Sequence, residues 1–193
     1  NAILKSEDGG ASWRNILSVR GQNRAINFIL FDSQNKNSLY AATGNGLFLS
    51  ANQGKDWKRI FQGKNYLENE CRSIAVLPTV IYLGTKGGLF VSKDRGRSWY
   101  KEKGKLGSSN ILAIAYNKIE PKYIYVACID GVFRTVDEGQ VWERIFVAHP
   151  VENGFETEEE AEDQDEQERF SGIRYISCDP NNLNCLYVAT SKG

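Results

Sequence analysis

Four stretches of the chain set a hydroxyl two residues before a carboxylate or its amide, and then a Gly and a Trp: "SEDGGASW" from Ser6, "SANQGKDW" from Ser50, "SKDRGRSW" from Ser92 and "TVDEGQVW" from Thr135. A hydroxyl in such a setting is a nucleophile only where a base takes its proton. None of the four stretches supplies one, and the chain contains a single His. The same groups have a second use. Ser, Thr, Asp and Asn side chains bond local backbone amides in Asx-type turns, Gly accepts positive φ, and Trp offers a large apolar plate. The octapeptides therefore read as structural clasps.

Other chemistry is thinly provided. Cys71, Cys128, Cys178 and Cys185 form no CxxC pair and have one His to join them, so a zinc site lacks ligands. Neither a metal nor a cofactor is expected. Cys178 and Cys185 flank "DPNNLN", which reads as a hairpin. That hairpin leaves two readings, a disulfide made in an oxidising compartment or a pair of thiols.

Lys plus Arg equals Asp plus Glu at 24 each, yet ten of the acids fall between Glu152 and Glu168. A neutral total thus hides a basic body and an acidic segment. The composition of residues 150–169 predicts a flexible, solvated insertion without a packed core. Its acids, with Glu158, Glu159 and Glu160 as candidates, are suited to tether a basic partner or to compete for the protein's own basic surface. The run lacks the central Gly and the alternation of an EF-hand loop.

The octapeptides are spaced by 44, 42 and 43 residues, and a fixed period of that size signals a repeat architecture. Each repeat contains four short strand-like runs, shown well by "ILAIAYN", "YIYVACI", "GVFRT" and "VWERIF". First-run columns are Ile26, Cys71, Ile111 and Ile173, with Ile29, Ile74, Ile114 and Ile176 three residues later, and the second run carries Tyr40, Tyr82, Tyr125 and Tyr187. Four antiparallel strands per period of about 43 residues is the arithmetic of a β-propeller blade, which makes the chain all-β. Residues 1–193 are read as one propeller domain holding three complete blades and two half-blades.

The pattern S/T-x-D-x-G-x-x-W resembles the Asp-box, or BNR repeat. Ser6, Asp8, Gly10 and Trp13 match it, as do Ser92, Asp94, Gly96 and Trp99, and Thr135, Asp137, Gly139 and Trp142. The second copy keeps Ser50, Gly54 and Trp57 but has Asn52 in place of Asp. The resemblance extends over nearly the whole chain. It implies that the boxes lie at the blade periphery, away from the ligand face. Propellers of this family usually have six or more blades, which favours an arc of a larger ring over a closed ring of four. Further blades or another chain would then complete it.

Function should lie where the repeats differ. One such column is Asn27, Arg72, Leu112 and Arg174, and another place is the connection before each first strand. In a propeller these positions rim one face, so Arg24, Arg72, Asn110 and Arg174 are the candidate binding residues. The resemblance implies two functions. One is a non-catalytic scaffold for protein partners, like photosystem II assembly factors or sortilin-type receptor domains. The other is a glycoside hydrolase or glycan binder of the sialidase or xyloglucanase type. Hydrolysis needs two opposed carboxyl groups, or an activated Tyr in sialidases. No such pair stands out, the sialidase Arg-Ile-Pro signature is absent, and Asp32 and Asp179 read as turn formers. Nucleic acid is not expected as a partner, because the cations are scattered through turns. No apolar run is long enough to enter a bilayer. With no Met, even at position 1, a processed or excised segment is expected, and family habit points to an extracytoplasmic location.

Overall fold

The computed structural model describes residues 1–21, 23–147 and 172–190. They form two compact units, Asn1–Ser108 and Ser109–Gly193. In the first, β1 (Ala2–Lys5) and β2 (Arg14–Ser18) make a two-stranded sheet. There follow two four-stranded sheets, β3 (Ile26–Phe31), β4 (Leu39–Thr43), β5 (Gly46–Ser50) and β6 (Lys58–Phe61), then β7 (Cys71–Val76), β8 (Ile81–Thr85), β9 (Gly88–Ser92) and β10 (Tyr100–Lys101). Short helices α1 (Tyr66–Asn69) and α2 (Gly104–Ser108) follow β6 and β10. The second unit holds the four-stranded sheet β11 (Ile111–Tyr116), β12 (Ile124–Cys128), β13 (Gly131–Thr135) and β14 (Glu143–Val147), and a two-stranded sheet of β15 (Ile173–Cys178) and β16 (Leu186–Thr190). Every strand pairs antiparallel with its neighbour in sequence.

Second strands are buried along their whole length in β4, β8 and β12, so that successive side chains on either side of the strand are out of water. This explains why "LYAAT" and "IYVAC" do not alternate polar and apolar residues. The core of the first unit lies between its two four-stranded sheets, where Tyr40, Leu47 and Phe61 meet Ile74, Leu83 and Phe90. In the second unit Tyr125 and Val132 pack with Ile173 and Ile176. At about 25 cal/mol per Å² of apolar surface, burying a side chain such as Leu47 or Leu83 contributes roughly 2 kcal/mol before its entropy cost.

Each octapeptide closes the connection between a third and a fourth strand through the same bonds. The hydroxyl oxygens of Ser6, Ser50, Ser92 and Thr135 accept the amides of Gly10, Gly54, Gly96 and Gly139 at 2.7, 2.8, 2.7 and 3.0 Å. The hydroxyls donate to Asp8, Asn52, Asp94 and Asp137 at 2.8, 3.0, 2.8 and 2.7 Å. Those acceptors in turn take the amides of Ser12, Asp56, Ser98 and Val141. Glycine is required twice over at Gly54. Its φ is +85°, and a Cβ there would lie 2.7 Å from Ile16 Cδ1, on the adjoining sheet. The Asn52 departure is a relocation of charge. Its amide Nδ2 donates to Asp56 Oδ2 at 2.8 Å, whereas Ser12 and Ser98 donate their hydroxyls to Asp8 and Asp94.

These bonds favour the ionised carboxylate. The hydroxyl and amide of Ser12 hold Asp8 down to about 2, and those of Ser98 do the same for Asp94. A lowered folded value contributes stability that is complete above the unfolded value near pH 4 and is lost as pH falls toward about 2. We expect Asp94→Asn to lower the denaturation midpoint at neutral pH and to flatten its acid dependence in that window. The urea midpoint measured across it checks this, and an unchanged acid slope counts against the turn as its source.

The hairpin at "DPNNLN" forms as expected, but without a disulfide. Cys178 and Cys185 are free thiols. The register sets Cys178 opposite Leu186, while the Asp179 amide bonds the Cys185 carbonyl. A one-residue offset places the two side chains on opposite faces of the pleat, so the sulfurs cannot meet.

Candidate interaction site

The column that varies after each first-strand start has a common geometry. The register of β3, β7, β11 and β15 shifts between Ile26 and Phe28, Cys71 and Ser73, Ile111 and Ala113, and Ile173 and Tyr175. Asn27, Arg72, Leu112 and Arg174 are therefore the extra residues of four β-bulges, released from the ladder and free to vary. Each uses that freedom differently. Asn27 donates its amide to the Cys71 carbonyl at 2.7 Å, tying one sheet to the next. Arg72 sends Nε and Nη2 to Glu70 Oε1 at 3.2 and 2.9 Å. Leu112 packs against the second core, and Arg174 is exposed.

Arg24, in the connection before β3, donates Nε to the Gly21 carbonyl at 3.1 Å. In the first unit, Arg24 and Arg72 are thus held by local partners. In the second, Asn110 is only 8% exposed and its buried Oδ1 has no hydrogen-bond partner among the described residues. Glu158, Glu159 and Glu160 lie outside the described residues.

A feature not foreseen from sequence is a cleft of about 480 Å³ lined by Asn23, Gly44, Asn45, Tyr66 and Asn69. Three segments build it: the connection before β3, the β4–β5 turn and α1. Asn65 caps α1 by accepting the Glu68 amide at 3.0 Å, which presents Tyr66 with 75% of its surface exposed. Asn45 reaches the Arg20 carbonyl at 2.9 Å, and Asn69 accepts the Gly63 amide at 3.0 Å. An aromatic face beside amides is equipped to bind a polar ligand. The available signal was that Tyr66 occurs in one inter-blade connection alone.

Among the described residues, the carboxylates that could do acid–base work are largely engaged. Asp32 is buried, accepts the Gln34 amide and pairs with Arg95. Glu68 pairs with Lys101 at 2.9 Å. Burial pushes the Glu68 carboxyl up, but the Lys64 amide and the Lys101 ammonium outweigh it and bring the net shift downward. Glu102 departs from this pattern. It stands three residues after Trp99, as Ile16, Ile60 and Ile145 stand after their Trp residues. Burial pushes its carboxyl up, and Oε2 has no hydrogen-bond partner among the described residues.

No protein-family model matches the chain, and no curated protein matches it in sequence. Solved structures do share its architecture. The GH74 xyloglucanase from Xanthomonas campestris aligns with 98% of this chain and 32% of its own length, at 15% identity and a TM-score of 0.70. The GH74 enzyme of Niastella koreensis aligns with 97% of this chain and 26% of its own, at 20% identity and a TM-score of 0.64. YCF48 bound to D1 peptide aligns with 92% of this chain and 66% of its own, at 14% identity and a TM-score of 0.51. The chain is a β-propeller. Its four-stranded meanders are blades, and the octapeptide joins the third strand of a blade to the fourth. At these identities the likeness reports fold alone. The propeller chain spans about a quarter to a third of the length of the GH74 enzymes it matches.

Proposed function

We propose that this propeller is a non-catalytic scaffold of the Asp-box type that works outside the cytoplasm and binds a protein partner on its loop face. The observation that carries the reading is the contrast between engaged acids and the exposed ring of Tyr66. Asp8, Asp94 and Asp137 are spent in turns, and Asp32, Glu68 and Glu70 in ion pairs. Tyr66 faces solvent in a cleft whose Asn side chains are held by local backbone bonds, a setting suited to a peptide. YCF48, whose fold the chain shares, was solved with a peptide bound.

Glycan binding is the second reading, favoured by the same cleft, since an exposed ring beside amides also suits a sugar. GH74 enzymes supply the fold-level analogy. A photo-crosslinker placed at Tyr66, with one at exposed Val136 as control, separates the readings in an extract of the source cells. We expect a discrete protein adduct from position 66 alone, and no reducing ends released from xyloglucan by the chain. Release of reducing ends, or retention on xyloglucan lost in Tyr66→Ala without a protein adduct, overturns the scaffold reading.

A further inference from the structure

We infer that the groove between β6 and β10 is a separate binding surface, whose occupant is an acidic peptide segment carrying an aromatic side chain. The groove has a volume of about 370 Å³ and runs from Arg97 and Ser98, in the third octapeptide, to Lys64 and Glu68 in the β6–β7 connection. β10 has two residues where β6 has four and β14 has five, and this short outer strand leaves the groove open. Its floor is aromatic. Phe61 meets Phe90 edge-on at 4.7 Å and Trp99 at 5.3 Å.

Charge selects the occupant. Both oxygens of Glu68 are taken, Oε1 by Lys101 and Oε2 by the Lys64 amide at 2.8 Å. Glu68 pairs with Lys101 and its charge also reaches Lys64, so a lining of three cations and one acid keeps an excess of positive charge, with neither Lys64 nor Arg97 in an ion pair among the described residues. Arg97 is not demanded by its turn, since Ala11, Lys55 and Gln140 fill the same octapeptide position. Two cations above an aromatic floor match carboxylates flanking a ring. A polyanion without an apolar group would leave that floor wet. The groove draws on the same β6–β7 connection as the Tyr66 cleft but shares no lining residue with it, so its failure to bind the peptide would leave the loop-face reading standing.

The test is fluorescence anisotropy of the full chain with a short fluorescein-labelled peptide of Glu and Asp around a central Phe. Arg97→Glu combined with Lys64→Glu should weaken binding about tenfold, because attraction becomes repulsion at two points. Lys118→Glu, an exposed change in the second unit, should leave it unaltered. A peptide with Ser for Phe should also bind more weakly, an arm that requires no variant to fold. Equal loss from Lys118→Glu, indifference to the Phe, or binding of a heparin fragment in preference to the peptide overturns the inference.

Discussion

Arg95→Ala is expected to lower stability by about 3–5 kcal/mol, because it strands a buried carboxylate. The Asp32 side chain has 0% exposure and lies just past β3, while Arg95 belongs to the octapeptide after β9. The guanidinium crosses between the two blades, sending Nη2 to Asp32 and Nη1 to the Leu77 carbonyl at 3.2 Å. Arg95 also holds φ at +61°, a strained conformation for a side chain of this kind. The repeat supplies its own control. The amides of Asp32 and Leu77 make the same backbone bond, to Ser38 and Val80, so Leu77 marks what an apolar residue does in the Asp32 column. Asp32→Leu with Arg95→Ala should therefore recover most of the loss, as replacement of a buried ion pair by packed hydrocarbon often does. Urea denaturation of both single variants and the double closes this cycle. A double variant as unstable as Arg95→Ala would mean that the guanidinium acts through Leu77 or the turn and not through Asp32.

Period, strand count and clasp were legible in the sequence because each is enforced locally. A Ser hydroxyl reaches the Gly amide four residues on whatever lies beyond the turn, so the octapeptide announces itself in any context. The bulges were half legible. Variability at Asn27, Arg72, Leu112 and Arg174 marked the column, but only the register shows that these residues vary because the ladder releases them. Asp32 formed the turn read from its position, yet its partner is 63 residues away, and no local pattern points to Arg95. For Cys178 and Cys185 the sequence left disulfide and thiols both open for a related reason. Flanking a hairpin brings residues close, and a register offset of one then decides which face each occupies. The Tyr66 cleft was hidden because three segments distant in sequence build it. Glu102 was hidden because an acid in an Ile column looks like an ordinary surface residue until its carboxyl is found buried.

Trp99→Ala should cost about 3–5 kcal/mol, and Trp13→Ala less than about 1 kcal/mol, although both Trp residues fill the same position of the same motif. Trp99 packs on the core between the first unit's two four-stranded blades, meets Phe61 at an interplanar angle of 73°, and donates Nε1 to the Ile60 carbonyl of the preceding blade at 2.9 Å. Trp13 is 62% exposed and gives its Nε1 to Gly10, inside its own turn. The motif fixes where the indole starts, and the neighbouring blade fixes how much of it leaves water. Trp99→Phe should fall between the two, keeping part of the aromatic contact while the Ile60 carbonyl loses its donor. Urea midpoints at constant m-value measure all three. Equal losses at Trp13 and Trp99 would place the stabilisation in the turn itself. The expected inequality places it between blades, where a repeat that cannot bury its own faces must find its stability.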